Sequence, residues 1–217
     1  MIAFLIAMIL LTLSPGPDIL YLLPLSMSRG GKVGAATGCG MATGALGHAF
    51  LLAFGFSTLI AGSEKIFCCV KIVGSLYLFW LAYNVWKHRR EQTLISQNKD
   101  LAFADRSLVS YFLKGFGMAI LNPKLILFFL AIFPQFLPPA GSAAEMIHLT
   151  LFYGLIFAIQ AAIIFSIVSF CAGTLYRFFA KHPKAELLLN YLTIVVLLFI
   201  SLIFLFTDNS FAENIVA

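Results

Sequence analysis

MIAFLIAMILLTLSPGPDILYLLPLSM, residues 1–27, is apolar along its whole length except at Ser14-Pro15-Gly16-Pro17-Asp18. A helix crosses the ~30 Å hydrocarbon core of a bilayer in about 20 apolar residues, so this run is long enough to span. Two prolines and a glycine in its middle cannot continue a helix, and an aspartate at that depth is costly unless it has a partner. The run lacks the positive n-region and the small-residue cleavage site of a secretory signal, and hydrophobicity resumes directly after Asp18. It reads as a retained span, broken near its centre.

The rest of the chain is of the same kind. Of its 217 residues 61% are hydrophobic and only 11% charged, against about 25% charged in an ordinary soluble domain. So few charges cannot coat a globule in water, which excludes a soluble fold, a disordered chain and a coiled coil. Six apolar runs, 1–27, 34–61, 66–86, 111–137, 146–176 and 187–206, predict an all-α polytopic membrane protein with six transmembrane helices. The longest polar connection is 87–110. The expected organisation is a three-helix unit over 1–86, a cytoplasmic linker over 87–110, a second three-helix unit over 111–206 and a short tail over 207–217.

Loop charges predict the orientation. Eleven of the 14 basic residues fall on one side: Arg29 and Lys32; Lys87, Arg89, Arg90, Lys99, Arg106 and Lys114; Arg177, Lys181 and Lys184. The other side holds only Lys65. By the positive-inside rule both termini lie outside. The net charge of +5 is thus distributed against anionic lipid and does not form a face for a nucleic-acid partner. Cys39, Cys68, Cys69 and Cys171 lie in apolar runs without metal or redox spacing and read as small core hydrophobes; no metal site and no cofactor is expected.

The fourth run is broken as well, at Asn122-Pro123-Lys124. Each half therefore opens on a proline-interrupted span, Pro15 and Pro123 lying 108 residues apart, and each is followed by a further proline, Pro24 and Pro134. Three spans per half make the halves enter from opposite sides, which predicts two inverted repeats with broken first helices, the pattern that marks a transporter's central site. Simple proline kinks are the alternative.

Asp18 is 11 residues from Arg29 and Lys124 is 10 from Lys114, so at about 1.5 Å per residue both reach the bilayer midplane. They could pair with each other and only lock the halves together. They could also bind a zwitterion. On that reading Lys124, with the amides of its half-helix, takes the substrate carboxylate, and Asp18 takes the amino group or a coupling proton. Ser14, Pro15, Gly16, Pro17, Asn122 and Pro123 complete the expected binding site. His48 and Gln160 are secondary candidates, for carrying a proton or for helix packing, and Lys71 lies close enough to the outer end of its span to snorkel. Gly34, Gly38, Gly40, Gly44 and Gly47 form a stripe suited to close helix packing.

SPGPDILYLL (14–23), SMSRGGKVGAATGCGMATGALGHA (26–49), VKIVGSLYLFWLAYNVW (70–86) and FLKGFGMAILNPKLILFFLAIFPQFL (112–137) together resemble the LysE/RhtB family of bacterial amino-acid exporters. The resemblance implies proton-driven export of small amino acids across the inner membrane. Some relatives carry a carboxylate after the glycine of the second span; here Ala45, Leu46, Gly47 and His48 follow Gly44, as in the homoserine/threonine branch.

Two rival classes have less support in the residues. An intramembrane enzyme would need a nucleophile with a base, a carboxylate pair or a metal, and the midplane offers one aspartate and one lysine. A channel would want polar lining along several spans, whereas polarity here is concentrated at one depth; a structural membrane protein without transport remains the bland alternative. The sequence leaves a homo-oligomer open.

Overall fold

The computed structural model describes residues 2–14, 16–60, 64–89, 107–138 and 141–206. These are helical, without strands: α1 Ile2–Leu13, α2 Pro17–Arg29, α3 Gly31–Ile60, α4 Glu64–His88, α5 Leu108–Ile120, α6 Pro123–Leu127, α7 Ala143–Phe170, α8 Ala172–Lys181 and α9 Pro183–Phe206. After α6 the chain runs through a π-helical turn, Phe128–Ile132, and a 3-10 turn, Phe133–Phe136. Residues 90–106, most of the expected linker, and the tail 207–217 lie outside the described residues, as does Lys65 in its side chain.

Local chemistry sets the element ends. Pro17 and Pro123 both occupy the first turn of their helices, where the missing N–H costs nothing. Gly30, at φ 89, ends α2 and turns the chain into α3. Ser142 caps α7 by accepting from the Glu145 amide, and Glu145 Oε2 accepts from the Gly141 amide at 2.8 Å.

Two helices, Gly31–Gly55 within α3 and Ala143–Phe170, are each long and apolar enough to cross a membrane, and α1–α2 and α5–α6 add two more if each bent pair is one span. The first pair bends by 57° and the second by 51°. The described part of α7 is apolar all round. Tyr153, Phe157, Ala161, Phe165 and Val168 are buried, while Phe152, Leu155, Ile159, Ile163 and Ile167 face outward, the composition of a helix solvated by lipid. On α4 the exposed aromatics Trp80, Tyr83 and Trp86 precede Lys87, as interfacial anchors do.

Helix α3 is the centre of the bundle, with its most extensive contacts to α7 and α5. Its glycine stripe makes that approach feasible: a Cβ on Gly40 would lie 2.0 Å from the Phe112 carbonyl oxygen, and one on Gly115 of α5 would lie 2.1 Å from that of Thr37. Backbone meets backbone here, and no rotamer change could make room. Helices α4 and α9 pair with each other, the Ser201 hydroxyl donating to the Ser75 carbonyl at 3.0 Å and the Asn190 amide to that of Arg89 at 3.2 Å.

The fifth apolar run, expected to continue to 176, is corrected by the structure. Helix α7 stops at Phe170, and after Cys171 a separate amphipathic helix, α8, begins, with Arg177, Phe178 and Lys181 exposed. Cys171 at this corner is exposed and Cys39 half-buried, both as free thiols, so Cys171 is not the core residue expected. The side chains of Cys68 and Cys69 lie outside the described ones.

Gly40→Val and Gly115→Val are each expected to destabilise the bundle by more than the ~1–3 kcal/mol of ordinary overpacking. Gly173→Ala and Gly117→Ala, whose added Cβ meets nothing within 4 Å, should leave it intact. The measure is the monodisperse fraction after detergent extraction; equal recovery of Gly40→Val and Gly173→Ala would contradict the packing.

Candidate functional site

Two helix breaks inside a bilayer leave backbone carbonyls at the end of one half-helix and amides at the start of the next, and none can turn to water. The structure satisfies two of the carbonyls, those of Leu11 and Ser14, from the opposite break. From the first turn of α6, Lys124 reaches the carboxy-terminal end of α1. Its Nζ donates to the Leu11 carbonyl at 3.2 Å, the Ser14 carbonyl at 3.5 Å and the Ser14 hydroxyl at 3.4 Å. From the first turn of α2, Asp18 reaches the other break, where its Oδ1 accepts from the Asn122 side-chain amide. The two long-range contacts close on each other through an ion pair, Lys124 Nζ to Asp18 Oδ2 at 2.8 Å.

The pair is buried, with side-chain exposures of 1% for Lys124 and 7% for Asp18. Its environment follows helix-dipole logic: Asp18 sits in the amino-terminal turn of α2, and the Lys124 ammonium lies against the carboxy end of α1. Gly16 makes the approach feasible, since a Cβ there would stand 3.0 Å from Nζ and 3.5 Å from Cε of Lys124.

One expectation changes in its details. The amides at the start of α6 do not face an open anion site, because Asn122 occupies them: its side-chain oxygen accepts from the Lys124 amide at 3.0 Å and its carbonyl from the Leu125 and Ile126 amides. Pro17 and Pro123 each lie in the first turn of a helix, with Asp18 and Lys124 next to them. Pro15 itself lies outside the described residues.

His48 of α3 is buried. Its Nε2 lies 3.1 Å from the Ala119 carbonyl, near the end of α5, and the ring stacks on Phe129. A carbonyl only accepts, so Nε2 carries the proton in this arrangement and His48 braces the second break. Gln160 of α7 donates to the Thr12 hydroxyl at 3.4 Å, tying α7 to α1. The side chain of Lys71 lies outside the described ones. Among the described residues no three histidine, cysteine, aspartate or glutamate side chains are placed to hold a metal.

Beside the ion pair is a cavity of about 20 Å³ open to the centre of a water molecule, bordered by Thr12, Asp18, Lys124, Met41, Phe157 and Phe165. That is space for a water, which needs roughly 10–15 Å³ by this measure, and too little for an amino acid. The cavity therefore holds no room for a substrate of that size in this conformation. Met41, Phe157 and Phe165 were not legible as its walls, since apolar residues inside an apolar span carry no distinguishing signal. Thr12 could have been found, as a hydroxyl two residues before the break.

The model of the LysE type translocator family matches residues 9–207, so the chain belongs to that family. It is 28% identical over 138 residues to an uncharacterized membrane protein of Vibrio cholerae, covering 64% of this chain and 65% of that one. It is 32% identical over 120 residues to the uncharacterized membrane protein YahN of Escherichia coli K12, covering 55% and 52%. A third relative, an uncharacterized membrane protein of Pseudomonas aeruginosa, is 25% identical over 185 residues, covering 83% of each chain. No solved structure matches.

Removing one partner of a buried pair typically costs 3–5 kcal/mol, because the other charge stays buried. Lys124→Met is therefore expected to lower the thermal stability of the detergent-solubilised protein by about that amount, and Asp18→Asn combined with Lys124→Met to be more stable than Lys124→Met alone. A single variant as stable as the wild type would contradict the geometry.

Proposed function

We propose that this member of the LysE type translocator family is a secondary transporter that exports small amino acids of the homoserine/threonine kind across the bacterial inner membrane by alternating access. The observation that carries the reading is the buried Asp18–Lys124 pair, one charge from the start of each second half-helix, next to a water-sized cavity. A zwitterion offers one charge of each sign, so it can replace each member of that pair as the partner of the other. Ser14, Gly16, Pro17, Asn122 and Pro123 hold the two charges in place, and Pro15 belongs to the same break.

Six spans follow when α4 and α9, of 25 and 24 residues, are counted with the two long helices and the two bent pairs. The equivalent placement of Pro17-Asp18 and Pro123-Lys124 supports an inverted repeat of 1–86 and 111–206. The loop charges favour both termini outside. Protonation of Asp18 from outside would neutralise it and release the substrate's ammonium, which couples export to proton entry; His48 and Gln160 serve the cycle by holding the helix ends about which the halves rock.

Two experiments test this reading. In cells loaded with a panel of small amino acids, the chain is expected to raise efflux of at least one, and Asp18→Asn, Lys124→Met and their combination are each expected to reduce it at least about tenfold, equivalent to some 1.4 kcal/mol in the barrier to transport. Export restored in the double variant would reduce the pair to a lock between helices. In a cysteine-free background, Ser142→Cys should react with an impermeant thiol reagent from outside and Ser96→Cys should not; the reverse pattern would overturn the orientation.

A further inference from the structure

The Lys124 ammonium rests in a site built almost entirely by the other half of the molecule. Three of its four oxygen partners are the Leu11 carbonyl, the Ser14 carbonyl and the Ser14 hydroxyl, at 3.2, 3.5 and 3.4 Å, and the fourth is Asp18 Oδ2 at 2.8 Å. An ammonium has three N–H donors, so these oxygens exceed what one lysine can use. They gather where a helix ends and its carbonyls lack intrahelical partners, the end that favours a cation. The Ser14 hydroxyl donates to the Leu11 carbonyl at 2.7 Å, which fixes both around the site. The space is sized for a primary ammonium, since even a methyl group on Gly16 would crowd Nζ at 3.0 Å.

We propose that the carboxy-terminal end of α1 together with Asp18 is a seat for a primary ammonium group, that Lys124 is its built-in occupant in the closed state, and that the α-ammonium of the exported substrate displaces it. The last clause rests on the transport reading above; the seat itself does not.

Chemistry explains why the exchange would be selective. The lysine is tethered, so its effective concentration at the seat is high and a free amine competes poorly with it. Leaving the seat would strand a buried cation unless Lys124 found a new anion. An amino acid supplies both halves of the exchange: its ammonium takes the place of the lysine, and its carboxylate becomes the new partner of the lysine. An amine alone or a carboxylate alone supplies only one. Asp18 stays paired throughout, first with Lys124 and then with the substrate.

Lys124→Ala empties the seat by deleting Cγ, Cδ, Cε and Nζ, a fragment matched by n-propylammonium. The test measures thermal stability of full-length Lys124→Ala in detergent with n-propylammonium, n-propanol or tetramethylammonium chloride. n-Propylammonium is expected to raise the melting temperature by about 4 °C at ten times its dissociation constant. The alcohol, which lacks the charge, and the quaternary ion, which lacks N–H donors, should leave it unchanged. Wild type, whose seat is filled, and Asp18→Asn/Lys124→Ala, whose seat lacks its carboxylate, should not respond to the amine. Equal shifts from the three additives, or none, would overturn the seat. If Lys124→Ala is recovered only as aggregate, the same three additives are supplied during extraction, where recovery of monodisperse protein improved by n-propylammonium alone carries the same comparison, and no selective gain there overturns the proposal equally. Failure of amino-acid efflux alongside a selective shift would remove the transport reading and leave the seat; efflux without the shift would do the opposite.

Discussion

The bond network around Lys124 Nζ is the constraint on which the centre of this molecule depends. A helix broken inside hydrocarbon exposes carbonyls at one end and amides at the next, and each unsatisfied group costs several kcal/mol. Here one ammonium answers part of that cost for α1, one asparagine does so for α6, and Asp18 binds both. The charges are expensive to bury, but the two breaks supply a setting in which both are favoured by helix ends. Remove the ammonium and the α1 carbonyls, the aspartate and the register of the two breaks all lose a partner together.

That network needs a rigid surround, and the glycines of α3 supply it. With α5 packed backbone to backbone on Gly40 and Gly44, the second break is held at a fixed depth, and His48 from the same helix takes a carbonyl near its edge. The aromatic side chains Phe128, Phe129, Phe133 and Phe157 fill the volume beside α6, ring against ring. The result is a closely packed frame around a small set of polar contacts.

Much of this is written in the sequence because proline and charge are conspicuous in an apolar run. The breaks at 14–18 and 122–124, the meeting of Asp18 with Lys124 and the packing role of the glycine stripe can all be read from spacing. What stays hidden depends on three-dimensional partners. Asn122 reads as one more polar residue at a break, yet its side chain caps its own helix and takes the Lys124 amide, while its carbonyl takes those of Leu125 and Ile126. The corner at Cys171 is invisible because VSFCAGTLY is apolar on both sides of it, and the turn shows only once α8 is seen to lie apart from α7. The pairing of α4 with α9 rests on a serine and an asparagine that resemble any others within a span.

The most direct test of the central network is the exchange of its two charges, Asp18→Lys combined with Lys124→Asp, compared by thermal unfolding with the neutral Asp18→Asn/Lys124→Met protein. If the ammonium belongs at the carboxy end of α1, the exchange keeps the pair but turns a carboxylate toward the Leu11 and Ser14 carbonyls and sets a cation in the amino-terminal turn of α2. The exchanged protein is then expected to unfold at a lower temperature than the neutral one. Recovery of wild-type stability on exchange would contradict this, showing that mutual neutralisation alone holds the two halves.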